Sequence, residues 1–258
     1  MKSRQEIKAL AKEAVAAQRK TAILLDVVFF LVVVAFLVVA VGVALIFELV
    51  LGITHSATVV IWVLYIPFIL VMSVVYINAY GEHIKIYRQE KASVSAMFTG
   101  LKVNFWRKLG GFLWMDLWIL LWSLLLIVPG IIKSLAYSMT LFILADHPKV
   151  EARQALKISM KMTDGHKGKI FVFGLSFIGW ILLPLLPAII ISFAAILAAG
   201  GLFGVWLALY VITLLGAIVF YVVVVYPYLY AAYAGLYVEL QDKALAEGKV
   251  THEELGHA

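Results

Sequence analysis

The sequence predicts an all-α fold, a polytopic transmembrane helical bundle with about six spans. Of 258 residues, 64% are hydrophobic and 14% are charged, against roughly half and a quarter in an ordinary soluble domain. The apolar residues form continuous runs of the ~20 residues that a spanning helix needs. Because lipid offers no partner to backbone N–H and C=O groups, and because the runs do not alternate as barrel strands do, they predict helices.

The limits of the predicted spans follow from where charged residues stop and start again. The spans cover residues 22–51, 57–80, 109–128, 131–145, 170–198 and 202–226. The first run is too long for the core of a signal peptide and no small-residue cleavage site follows it, so we expect it to stay in the mature chain.

One helix-breaking pair divides the apolar stretch 109–145. Pro129 and Gly130 interrupt a helix and predict a tight turn between the third and fourth spans. The fourth span is short, which leaves a second possibility, a re-entrant hairpin that does not cross the bilayer. Broken helices also mark binding sites in transporters, but a simple hairpin turn is the favoured interpretation.

Three basic segments, each with an apolar stripe at helical spacing, precede or connect the spans. They cover residues 3–20, 92–108 and 148–163, and each is predicted to be an amphipathic helix lying at the membrane surface. Lysine and arginine concentrate around these segments, whereas Lys133 alone lies in the other turns. The positive-inside rule then predicts that both termini face the cytoplasm.

The formal net charge of +6 is explained by this topology and by attraction to anionic lipid headgroups. Membrane lipids are therefore the expected partners, and binding of nucleic acid is not needed to explain the charge. Residues 1–240 are predicted to form one integral membrane domain, and residues 241–258 a polar cytoplasmic tail that is flexible. A partner protein or a homo-oligomer is neither predicted nor excluded.

Residues 121–180 carry motifs beyond composition. They include PGIIK at 129–133, GHK at 165–167 and LSFIGW at 175–180. In these motifs the chain closely resembles the domain of unknown function 975 family of bacterial multi-pass membrane proteins, and its opening helix and its closing PYLYAAYAGLY are also similar. The stretch EARQALKIS departs slightly from the family pattern. The resemblance implies a location in the bacterial cytoplasmic membrane, and it implies no reaction, substrate or catalytic residue.

Charged residues inside predicted spans are candidates for function, because burying them in lipid is costly. Asp116 lies about two turns into the third span and is either a relay for protons or cations or a group that reaches water at the interface. Glu48 and Lys133 are both on the outer side and are predicted to pair rather than to transport. Asp26 lies near the cytoplasmic boundary and is expected to be solvated.

Four tyrosines share one helical face near the end of the last span: Tyr226, Tyr230, Tyr233 and Tyr237. Tyrosine is enriched at membrane interfaces, so the favoured interpretation is an interfacial aromatic belt. The alternative is an aromatic cage for a quaternary ammonium group.

No catalytic residues, cofactor or metal site are predicted. The chain has no cysteine, and His55, His83, His147 and His166 occur singly in different segments, which argues against a built metal site. Three functions follow in order of preference. The first is a non-enzymatic protein that organises, senses or regulates in the envelope. The second is a transporter, channel or lipid-handling protein with a polar path near Asp116, and the third is an enzyme acting on lipid.

Overall fold

The computed structural model describes residues 2–49, 52, 56–197 and 203–256. Within these ranges the chain is helical, without strands, which confirms the predicted all-α bundle. The helices are α1 (Arg4–Ala17), α2 (Arg19–Leu49), α3 (Ser56–Tyr87), α4 (Val94–Thr99), α5 (Phe105–Leu125), α6 (Ile127–Tyr137), α7 (Thr140–Asp146), α8 (Ala152–Thr163), α9 (Lys167–Leu175), α10 (Ile178–Leu182), α11 (Leu186–Leu197), α12 (Phe203–Phe220) and α13 (Tyr226–Ala246).

Six helical segments of the described chain are long and apolar enough to cross a membrane. They are Arg19–Leu49, Trp62–Tyr87, Phe105–Leu125, Ile127–Asp146, Lys167–Ala195 and Gly204–Ala246. These correspond to the six predicted spans. Residues 51, 198 and 202, where predicted spans begin or end, lie outside the described residues.

Helix α1 begins with a capping box in which the Ser3 hydroxyl accepts from the Glu6 N–H and the Glu6 carboxylate accepts from the Ser3 N–H. Its predicted apolar stripe is buried at Ile7, Ala11 and Ala14. This stripe packs on α13 and α3, so the first amphipathic helix is covered by the bundle on its apolar face.

Helix α3 extends beyond the predicted limit of residue 80 and includes the charged stretch up to Tyr87. Ile84 and Ile86 are fully buried there, so the extension continues to contribute to the core. Glu82 is held by the Lys85 amine at 2.7 Å and by the Ser93 N–H at 2.8 Å.

The predicted amphipathic helix 92–108 is two pieces rather than one. The short α4 passes into a 3-10 turn, and Asn104 takes a left-handed conformation with φ 55° before α5 begins. At Gly100 a Cβ atom would lie 2.6 Å from the side-chain nitrogen of Asn78. The turn therefore packs against α3 at a distance that leaves no room for a side chain at position 100.

The turn between α5 and α6 lies at Leu126, three residues before the predicted pair Pro129–Gly130. Leu126 has φ −160° and ψ 146°, an extended conformation that ends one helix and starts the next. Pro129 then falls in the first turn of α6, where backbone N–H groups have no partner within the helix. Gly130 allows close packing, because a Cβ atom there would lie 2.3 Å from the Ser123 hydroxyl oxygen.

The last span does not end at Pro227. A π-helical segment, Tyr221–Val225, precedes α13, and the Tyr226 N–H donates to the carbonyl of Tyr221, five residues back. Proline has no N–H and crowds the carbonyl four residues before it, and a wider helical turn relieves this crowding. The helix then runs to Ala246, twenty residues beyond the predicted limit of residue 226.

The tail predicted to be flexible packs against the domain. Residues 241–246 belong to α13, and Val250 and Leu255 are buried. The Lys161 amine lies 2.5 Å from the Glu254 carboxylate, and the Gln154 amide donates to the Glu254 carbonyl. Helix α8, which begins at Ala152 rather than at the predicted residue 148, forms the other side of this contact.

The three basic segments meet at one end of the bundle, called here the basic end. The Ala92 N–H donates to the Gln18 side chain, and the Arg107 guanidinium donates to the carbonyl of Val150. The buried core is concentrated at this end, in α1, α7, α8, α13 and the second half of α3. Farther along α2, α3, α11 and α12 the large apolar side chains are mostly exposed, as expected of helices surrounded by lipid, which removes the hydrophobic drive to pack.

Candidate functional site

Asp26 lies seven residues into α2, about 10 Å along the helix from Arg19. Its side chain is 9% exposed, so the structure differs from the expectation that it is solvated. Oδ1 lies 3.6 Å from Nε2 of His83. Oδ2 is buried and has no hydrogen-bond partner in the described chain, and no lysine or arginine of that part forms an ion pair with it.

His83 is 1% exposed and lies in the part of α3 that continues beyond the predicted limit of residue 80. Neither of its ring nitrogens has a hydrogen-bond partner among the described residues. The distance to Asp26 is longer than a hydrogen bond, so the contact is electrostatic and becomes an ion pair only when His83 is protonated. The imidazole packs at 5.3 Å against the ring of Tyr230.

Three tyrosine hydroxyls form a chain beside this pair. The Tyr80 hydroxyl donates to Tyr76 at 2.9 Å, and the Tyr76 hydroxyl donates to Tyr230 at 3.2 Å. Tyr76, Tyr80 and His83 are spaced at i, i+4 and i+7 on one face of α3, whereas Tyr230 comes from α13. The chain thus links the two central helices of the bundle.

These groups surround a cavity of about 260 Å³ between α2, α3 and α13. This is slightly below the roughly 300–1,000 Å³ of sites for drug-sized ligands, so it suits a small molecule. Its walls are mostly aromatic, and its ionisable groups are the Asp26 carboxylate, the imidazole and the phenols. The lining residues are Asp26, Phe29, Phe30, Val33, Tyr76, Ala79, Tyr80, His83, Tyr226 and Tyr230.

This arrangement is chemically suited to a cation. An ionised carboxylate in an apolar surrounding costs free energy unless a positive charge or hydrogen bonds compensate it. Aromatic faces attract cations by their quadrupoles, most strongly when water is excluded. A small organic cation in the cavity would contact both kinds of group, whereas a neutral or anionic ligand would leave the carboxylate uncompensated or repelled.

The four predicted tyrosines do not form a belt at one depth. Tyr226 and Tyr230 line the cavity, and Tyr233 packs on the ring of Phe173 at 5.4 Å. Tyr237 is fully buried, stacks on Phe142 and donates to Asp146 at 3.0 Å. The face that they share becomes more buried along α13, from the exposed Tyr226 to the fully buried Tyr237.

A second polar cluster, which sequence analysis did not identify, joins α3, α7 and α13. Arg88 donates to both oxygens of Asp146, at 2.7 and 2.8 Å. Gln241 contacts His147 at 2.7 Å. Every oxygen of Asp146 has a partner, so this cluster holds helices together and leaves no group for a ligand.

The remaining predicted site residues do not come together. Asp116 is exposed on α5 beside exposed leucines and has no polar partner in the described residues. Glu48 is exposed and forms no ion pair there, so the predicted pair with Lys133 is not formed. Instead the Lys133 amine lies 5.0 Å above the ring of Trp122.

Within the described ranges, no three histidine, aspartate or glutamate side chains are grouped as metal ligands. His55 and His257 lie outside those ranges.

Comparison with known proteins gives one match. A family model described as "Protein of unknown function (DUF975)" matches residues 124–244, which confirms the resemblance for the second half of the chain. The match includes Tyr226 and Tyr230 of the cavity, whereas Asp26 and His83 precede it. No curated protein and no solved structure matches the chain.

Proposed function

We propose from the site itself that the protein, whose residues 124–244 match the model of a family of unknown function, is a non-enzymatic membrane protein that binds a small organic cation. The cation occupies the cavity around Asp26, and its binding serves sensing or regulation in the envelope. The observation that carries this proposal is the buried Asp26 oxygen without a partner in an aromatic-walled cavity.

The proposed location is the bacterial cytoplasmic membrane, with both termini in the cytoplasm. The positive-inside rule supports this orientation, and the grouping of the basic segments at one end agrees with it. The cavity then lies about two helical turns inside the cytoplasmic boundary, so the ligand enters from the cytoplasm.

Calorimetric titration of the detergent-solubilised protein with choline tests the proposal. The uncharged isostere 3,3-dimethylbutan-1-ol has the same shape without the charge. We expect choline to bind and the alcohol to bind at least about tenfold more weakly, because desolvated cation–π contacts contribute about 2 kcal/mol and the ionised carboxylate adds Coulomb attraction to the positive charge.

Asp26→Asn removes the charge with almost no change in shape, and we expect it to lower the affinity for choline about tenfold or more. Asp116→Asn is the matched control, since it removes an aspartate from another apolar helix, and it should leave the affinity unchanged. Equal binding of choline and the alcohol, or equal effects of the two substitutions, would refute a cation site at Asp26.

The alternative function is transport, and the position of the cavity within three spanning segments is the observation that favours it. A path near Asp116 would need a facing surface from another chain, because Asp116 is exposed on α5. Uptake of radiolabelled choline into proteoliposomes separates the two functions. A sensor binds without flux. A transporter carries choline into the vesicles. If Asp26→Asn lowers this uptake, the path passes through the cavity, and if Asp116→Asn lowers it, the path passes beside α5.

A further inference from the structure

We propose a second binding site, for one anionic phospholipid, in a groove between α1 and the junction of the π-helical segment with α13. The groove has a volume of about 400 Å³ and is here called the α1 groove. One of its sides is cationic and the rest is apolar or aromatic. Its lining residues are Lys12, Val15, Ala16, Arg19, Ile23, Trp180, Val223, Val224, Pro227 and Tyr228.

The cationic side consists of Lys12 and Arg19. Lys12 lies on α1 and Arg19 is the first residue of α2, and both line the groove. Both are exposed, and neither forms an ion pair within the described part of the chain. Other cations of α1 are already engaged, since Lys2 pairs with Glu239 and Lys8 donates to the Ser176 carbonyl while lying 3.9 Å above the Phe177 ring.

The apolar side of the groove continues into the exposed apolar surface of the spans. Trp180 is 46% exposed and Val224 is 42% exposed, and Ile23 lies one helical turn after Arg19. The groove therefore passes from charged to apolar within about one turn of helix. Tryptophan also has an indole N–H beside its apolar ring, and it is enriched at the level of lipid headgroups.

A phospholipid with a net negative charge matches both sides of the groove. Its phosphate would lie between the two cations, and its acyl chains along the valines and the tryptophan. Inorganic phosphate would use the cations alone, and an acidic protein segment would leave the lipid-facing wall uncovered. Basic pockets at the cytoplasmic ends of spanning helices bind anionic headgroups in this manner.

Native mass spectrometry of the full chain, released from vesicles of equal phosphatidylglycerol and phosphatidylcholine, tests the proposal. We expect one retained phosphatidylglycerol for each protein molecule and little retained phosphatidylcholine. Arg19→Gln should lower retention about fivefold, and the double variant with Lys12→Gln on the order of 25-fold, given the usual contribution of each basic side chain.

Lys20→Gln is the matched control for Arg19→Gln. Lys20 is the next residue, is also exposed, and does not line the groove, so it should have no effect. Equal losses from the two substitutions would overturn the proposal, because they would indicate general attraction to an anionic surface.

A second variant tests the shape of the groove without changing charge. Ala16→Leu places a larger side chain in the groove on an exposed position of α1, and we expect it to reduce retention as Arg19→Gln does. The proposal would be overturned if this variant retained as much lipid as the wild type. It would also be overturned if inorganic phosphate displaced the lipid, or if the wild-type protein retained no lipid. Choline titration of Arg19→Gln should equal that of the wild type, so the two sites are tested separately.

Discussion

Three aspartates in the apolar segments differ in what surrounds them, and this difference separates structure from function. Both oxygens of Asp146 accept from Arg88, and Oδ2 also accepts from Tyr237. Asp26 is as well buried but faces only His83, at 3.6 Å. Asp116 is exposed on its helix. Because a buried carboxylate is costly without partners, Asp146 is explained by the fold, whereas Asp26 requires a ligand or a proton.

Asp146→Asn tests the structural role of the cluster. It leaves the partly buried Arg88 guanidinium without a counter-charge, so we expect a loss of about 2 kcal/mol in the free energy of unfolding. Unfolding in mixed micelles with increasing dodecyl sulfate, followed by tryptophan fluorescence, measures this. The control is Glu254→Gln in the exposed pair with Lys161, where the loss should stay below about 1 kcal/mol. Equal losses would contradict the assignment.

At the scale of elements, the departures from regular helix lie where helices approach each other closely. The α5–α6 hairpin closes at Leu126, and Gly130 lets α6 approach Ser123. The π-helical segment before Pro227 lies between the two proposed sites, with Tyr226 in the wall of the cavity and Val223 and Val224 in the wall of the α1 groove. One irregular turn thus shapes both binding surfaces.

Gly130→Ala tests the close packing of the hairpin. A methyl group at this position would overlap Ser123, including its backbone Cα at 2.9 Å, so we expect destabilisation of about 1–3 kcal/mol. Gly110→Ala in α5 is the control, since nothing lies within 4 Å of its added Cβ atom. It should be neutral or stabilising by up to about 1 kcal/mol. The same unfolding assay compares the two, and a neutral Gly130→Ala would show that the helices are farther apart.

At the scale of the whole molecule, continuous hydrophobicity was sufficient to predict six long helices and the all-α class. The cavity was not predicted, although Tyr76, Tyr80 and His83 form a polar stripe on one face of α3 that could have indicated it. Hydrophobicity does not say which helices face each other, because lipid-facing and interior surfaces are both apolar. For the same reason Asp26 was expected in water, and the tyrosines of α13 at an interface.

Single cysteines test the arrangement in the membrane, because the chain has none of its own. Glu48→Cys should react with a membrane-impermeant maleimide from outside intact cells, and Ser95→Cys only after permeabilisation. At the hairpin tip, Leu124, Leu126 and Ile127 are 74, 67 and 76% exposed, and apolar side chains so exposed belong in hydrocarbon. Leu126→Cys should therefore resist the reagent in both conditions, as in the re-entrant alternative, whereas reaction from outside intact cells would indicate two full spans. Reaction of Glu48→Cys only after permeabilisation would reverse the orientation.

The concentration of packing at the basic end has a mechanical consequence. The hairpins α2–α3 and α11–α12 are joined mainly through the π-helical segment and α13, and the large apolar side chains of their described parts far from the basic end are mostly exposed. In a bilayer, a change in thickness or lateral tension would act on those exposed parts and would exert a torque about the basic end. Asp26 lies near the basic end, in the cavity between α2, α3 and α13. A ligand that contacts α2, α3 and α13 in the cavity would make their junction more rigid. Occupancy of the cavity and tension in the membrane would then be thermodynamically linked.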